Sequence, residues 1–88
     1  MKVLISVVIL HPDTSRCCVC EKEIEMPVVF VGMQLVNHAY GFEFRINAVT
    51  YDPHTLTLWA TIEDDCDTLE EFTHSVEMWK QDGYVSID

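Results

Sequence analysis

Basic residues are scarce in this chain: five lysines and arginines among 88 residues. No positive stripe can form from so few, which disfavours direct binding to DNA, RNA or an anionic membrane surface. Glycine is almost as rare, with three in all, and no glycine-rich phosphate loop is present. No apolar run approaches the roughly 18 residues of a membrane span. The four histidines (His11, His38, His54, His74) form neither a His-x-Thr or His-x-Ser repeat nor a Glu-x-x-His ligand pair. Repeats, linkers and low-complexity stretches are missing as well, so residues 1–88 read as one domain. Ten kilodaltons leave little room for a deep catalytic cleft, and the expectation is a protein that is not an enzyme.

What is present is the composition of a folded globule with a strong charge imbalance. Apolar residues make up 49% of the chain and charged residues 23%. A chain this short buries about 60–65% of its unfolded surface, enough for a single core. Fifteen acids against five bases give a net charge of −10. The imbalance is concentrated at the end: from Glu63 onward there are nine acids (Glu63, Asp64, Asp65, Asp67, Glu70, Glu71, Glu77, Asp82, Asp88) and only Lys80 opposes them.

Along the chain, Lys2 followed by the apolar run Val3–Leu10 has the outline of a short signal peptide. The run is only eight residues, no Ala-x-Ala-like site follows, and His11-Pro12-Asp13 ends it. It reads instead as a central strand covered on both faces, in a cytoplasmic protein. Residues 11–23 read as a polar loop. A second apolar run, Val28–Val36, contains Gly32, a mark of a bulge or close backbone approach. Residues 37–41 read as a turn. Phe42, Phe44, Ile46 and Ala48 then alternate with polar residues, as do Leu56, Leu58, Ala60 and Ile62, which predicts a hairpin. A three-residue loop, Asp52-Pro53-His54, would pair Tyr51 with Thr55, Ala48 with Leu58 and Ile46 with Ala60. That register puts Arg45, Tyr51 and Trp59 on the other face, a candidate contact surface.

A helix follows. Asp67 with Glu70, or Thr68 with Glu71, supplies a capping box. Leu69, Phe72, Val76 and Trp79 form one apolar stripe, Lys80 suits the last turn and Gly83 the stop. Residues 84–87 read as a short closing strand. The predicted class is α+β: a four- to five-stranded antiparallel or mixed sheet, order β-β-β-β-α-β, with the helix packed on one face.

Cys17 and Cys20 form a Cys-x-x-Cys pair, the spacing of half a zinc knuckle. Further donors would have to come from Cys18, Cys66 or His11, and Glu21 stands where such knuckles usually carry glycine. A thioredoxin-like role is disfavoured because no helical stripe follows Cys20. Without an oxidising compartment the cysteines also read as small buried apolar residues. No cofactor is expected apart from this zinc alternative.

The leading functional expectation is a small binding protein whose carboxylates at Glu63, Asp64, Asp65, Asp67, Glu70, Glu71 and Glu77 meet a basic surface of a partner. If that surface normally holds nucleic acid, the protein would inhibit by mimicry. Compact acidic inhibitors of phages and mobile elements, including anti-CRISPR and other anti-defence proteins, share this size and charge, acting in the host cytoplasm. Two alternatives accompany it: a zinc-knuckle structural module, and an oligomeric protein that sequesters a small ligand through Arg45, Tyr51 and Trp59. An unpaired sheet edge would also allow a homodimer.

Overall fold

The computed structural model describes residues 1–13 and 15–87. Its centre is β1 (Lys2–Leu10), where β-branched residues dominate and favour extended backbone. β2 (Cys17–Glu25) folds back antiparallel to it after a short turn, pairing Val7 with Cys20 and Ile5 with Lys22. The expected polar loop over 11–23 is therefore confined to residues 11–16. Asp13 builds that turn, its Oδ1 accepting from the Ser15 N–H and hydroxyl; these bonds hold its carboxyl below the usual carboxylate range.

After β2 the chain crosses to a small second sheet, β3 (Gln34–Val36) and β4 (Glu43–Arg45), paired antiparallel. β5 (Ala48–Asp52) and β6 (Thr57–Asp65) then form an antiparallel hairpin, and β6 lies parallel to β1. α1 (Leu69–Gln81) and the short β7 (Val85–Ser86) finish the chain, with β7 on the outer edge of β2. The five-stranded sheet has the order β5-β6-β1-β2-β7. This is an α+β fold with a mixed sheet and one helix in the C-terminal half, as predicted. No helix among the described residues is long and apolar enough to cross a membrane.

The predicted hairpin is corrected in register and extent. Ala48 pairs with Thr61 and Asp52 with Thr57, so four residues, Pro53–Leu56, make the turn. Phe42–Arg45 belongs to neither strand of that hairpin: Phe44 alternates inward, but its partner is Leu35 of β3. The four-residue turn places Leu56 at a φ of 56°, unusual for a branched side chain, and leaves it 75% exposed.

The core lies on one face of the sheet. Val3, Ile5, Val7 and Ile9 of β1, Cys20 of β2, and Ala60 and Ile62 of β6 are all fully buried. α1 packs against β1, β2 and β7. Leu35 and Phe44 of the small sheet pack against the same core. Trp79 is its largest buried side chain, with ring contacts to Phe44 at 4.6 Å and Tyr84 at 4.9 Å. Burial pushes the Tyr84 hydroxyl well above its ordinary value, with Asp82 adding to the shift.

Both helix ends follow the signals in the sequence. Thr68 is the N-cap, its Oγ1 accepting from the Glu71 N–H at 3.1 Å, while Glu71 Oε2 accepts from the Asp67 N–H at 2.9 Å. Leu69 departs from the predicted stripe and is exposed; Met78 is buried beside Trp79. At the other end Gly83 has a φ of 91°. The Tyr84 N–H reaches the Trp79 carbonyl and the Gly83 N–H reaches Lys80, closing a Schellman motif. Lys22, inward on β2, extends its ammonium to the Asp82 carbonyl oxygen at 2.6 Å and so caps the helix from the sheet. Asn37 is the one buried polar side chain among the described residues: Oδ1 accepts from the Ala39 and Tyr40 N–H groups and Nδ2 donates to the Met78 carbonyl.

A double-sided cover for β1 does not exist among the described residues. Its other side chains, Leu4, Ser6, Val8 and Leu10, are only partly buried, and no described helix or second sheet packs on them. An apolar run on both parities of a strand does not distinguish a covered face from one left open.

Candidate protein-interaction surface

β6 and the start of α1 distribute the predicted acidic residues in three ways. Strand alternation sends Glu63 and Asp65 to the open face of the sheet and Asp64 to the core face. There Asp64 Oδ2 accepts the Trp79 Nε1–H at 2.9 Å, so this carboxylate is committed to the fold. Asp67 and Glu71 are exposed but joined through the helix cap. Glu70 and Glu77, seven residues apart and hence on one side of the helix, face solvent. Asp88 lies outside the described residues.

A further row of acids lies on the open face of the sheet, on the side away from the helix. Glu21, Glu23 and Glu25 alternate along β2 and share the open face with Glu63 and Asp65. In sequence they sit just beyond the Cys-x-x-Cys and resemble loop charges; only the pairing of β2 with β1 aligns them. Lys2 Nζ approaches Glu23 at 3.8 Å, and the N-terminal ammonium holds Glu25 at 2.9 Å.

The remaining candidates are not brought together. Cys17 and Cys20 stand three apart on one continuous strand and point to opposite faces: Cys17 is exposed and Cys20 fully buried. Two ligands on opposite sides of a sheet cannot hold one ion. No cluster of three or more His, Cys, Asp or Glu among the described residues has metal-binding geometry. Cys18 lies beside Cys20 and Ser86, and Cys66 beside Ser75. The His11 ring packs against Phe72 at 4.8 Å. His11 and Cys66 do line an open hollow of about 420 Å³ with Arg16, Asp65 and Asp67. Burial pushes the Cys66 thiol above its ordinary range, with Asp64, Glu71 and Asp65 adding to it. That is the reverse of an activated thiolate.

Arg45, Tyr51 and Trp59 also part company. Arg45 is exposed on β4, in the small sheet. Tyr51 pairs with Leu58 and shares its side of the hairpin, whereas Trp59 points to the open face. The register shift separates the two aromatic rings. A ligand pocket lined by all three is therefore absent among the described residues.

Thiol accessibility checks this geometry. Alkylation of the native protein at mildly alkaline pH should modify Cys17 first and leave Cys20 and Cys66 until unfolding. Chelator should leave the melting temperature unchanged. Equal protection of Cys17 and Cys20, lost with chelator, would restore the metal reading.

Comparison of the chain with protein-family models, with curated proteins and with solved structures finds no match.

Proposed function

We propose that this protein is a non-catalytic binding protein that engages a basic surface of a partner protein, one that otherwise holds nucleic acid, and blocks it. The observation that carries this reading is the display of exposed carboxylates. Glu63 and Asp65 lie on the sheet with Glu23 and Glu25, and Glu70 and Glu77 on the helix, in a chain of net charge −10. Alternate residues of a strand are spaced at roughly 6.6 Å, so β2 presents its carboxylates in a regular row, with Lys2 and the N-terminal ammonium offsetting Glu23 and Glu25 at one end and Glu63 and Asp65 adding to it from β6. Such a row attracts a cationic groove at long range and speeds encounter. Inhibitors encoded by phages and mobile elements share this size and charge, and a host cytoplasm is where such a blocker would act.

The test must spare the fold. Reversing Glu71 would remove the acceptor of the Asp67 N–H, and reversing Asp67, Glu70 or Glu71 would place a cation against the helix N-terminus, confusing unfolding with lost binding. The triple variant Glu63→Lys, Asp65→Lys, Glu77→Lys avoids this, since Glu77 is exposed and lies well beyond the first turn of α1. Tagged wild-type protein should retain a nucleic-acid-binding protein from host lysate at low salt and release it as salt rises or when an oligonucleotide competes. The variant should retain none. Equal retention by both proteins would refute the proposal.

A further inference from the structure

The open face of the sheet carries an ordered pattern, recoverable row by row from the strand registers. One row reads Trp59, Leu4, Glu23; the next Thr61, Ser6, Glu21; the third Glu63, Val8, Val19; the fourth Asp65, Leu10, Cys17. Ile87, whose N–H bonds to the Val19 carbonyl, extends the third row outward and is 57% exposed. The apolar residues thus form a diagonal band in two parts, Trp59–Leu4 in the first row and Val8–Val19–Ile87 in the third, bridged by Ser6 of the row between. Glu63 and Asp65 border it on one side and Glu23 on the other, while Glu21 stands beside Ser6 in the middle row. Leu56, held at its left-handed φ, lines a shallow hollow with Leu4 and Lys2 at the lower end of the band.

We propose that this band is a docking surface for an amphipathic helix of a partner protein, its apolar stripe lying along the diagonal and lysines or arginines on both flanks meeting the two sets of carboxylates. The proposal rests on the reading of a basic protein partner and specifies the form in which that partner binds. Dimensions agree. The acids of β2 and β6 are two strand spacings apart, about 10 Å, close to the 10–12 Å width of a helix with its side chains. The band runs about 13 Å along the strands and about 14 Å across them, so its diagonal of about 20 Å matches some 13 residues of helix, within reach of a peptide of about 18. Charge decides between occupants. A second copy laid face to face would bring acids against acids, because both borders of the band carry the same sign. Nucleic acid and anionic lipid meet the same repulsion. A polypeptide stripe with basic flanks satisfies both the apolar band and its borders.

The probe is a synthetic helix of about 18 residues with leucines at i, i+3, i+4 and i+7 and lysines elsewhere, compared with a peptide of the same composition lacking a stripe. Trp59 reports binding, since Trp79 is 1% exposed and inaccessible to acrylamide. The striped peptide should shield Trp59 from acrylamide and bind at least about tenfold tighter than its control. Val8→Glu adds a carboxylate yet should weaken binding about tenfold; Ile87→Glu, on the short outer strand, should act in the same direction with less demand on folding. Equal affinity for the two peptides, tighter binding by folded Val8→Glu or Ile87→Glu, or unchanged quenching of Trp59 would overturn the proposal. So would a dimer of the free protein that shields Trp59. Lysate partner capture that survives Val8→Glu but is lost in the Glu63/Asp65/Glu77 variant would reject this surface while leaving the acidic-binder reading intact. Capture unaffected by either change would reject both.

Discussion

Replacing Trp79 with alanine should remove a large share of the stability of this domain. The indole is almost completely buried between Phe44 and Tyr84, and its N–H is satisfied by Asp64. Truncating a buried Trp costs about 3–5 kcal/mol, against a total of roughly 4–13 kcal/mol for a chain of this length. The loss should be large because the small sheet and the closing segment converge on this side chain. Neither β3–β4 nor β7 buries enough apolar surface to hold its place alone. Urea unfolding followed by far-ultraviolet circular dichroism measures the effect. Trp79→Phe should retain part of the ring packing but leave Asp64 without its donor, at a cost of about 1–3 kcal/mol. A Trp79→Ala protein as stable as wild type would mean that the helix, small sheet and last strand are held by other contacts.

The sequence made some of this architecture legible because the signals were local. The helix could be read from Thr68, Glu71, the spacing of Phe72, Val76 and Trp79, and the glycine at 83. The turn at 37–41 and the extended segment at 84–87 were legible for similar reasons. Pairing was much less so. Phe42, Phe44 and Ile46 do alternate, but period two identifies a face and leaves the neighbouring strand open. Phe44 pairs with Leu35, and the four-residue turn at 53–56 moves β6 by an odd number of positions relative to the expectation. That shift puts Tyr51 and Trp59 on opposite faces. β2 was hidden by Lys22, a charged residue at an inward position whose ammonium serves the distant end of α1. Without β2, the Cys17–Cys20 pair resembles a metal knuckle, and the row Glu21, Glu23, Glu25 has no surface to belong to. The open face could not be distinguished from a covered one, since Val8 and Leu4 have the same hydropathy in either case.

Substitutions at three adjacent acids should have sharply different consequences. Asp64→Ala leaves the buried Trp79 N–H without an acceptor and should destabilise the protein by about 1–3 kcal/mol. Asp64→Asn keeps a carbonyl oxygen in reach of the indole and should recover much of that loss. Glu63→Gln and Asp65→Asn remove charges from the open face, where neither side chain supports the core, and should change stability by less than about 0.5 kcal/mol. Binding should follow the opposite order: the two outward substitutions weaken capture of a basic partner, while Asp64→Asn at a temperature where it is folded leaves capture intact. Thermal melts and partner titrations on the same preparations separate the two effects. If Asp64→Ala melted like wild type, the indole bond would contribute nothing net. If Glu63→Gln and Asp65→Asn bound as well as wild type, the carboxylates of β6 would be solvated charge without a recognition role. The contrast follows from strand parity. One continuous run of like charge is divided by the pleat into a residue that fastens the helix to the sheet and two that remain available to a partner.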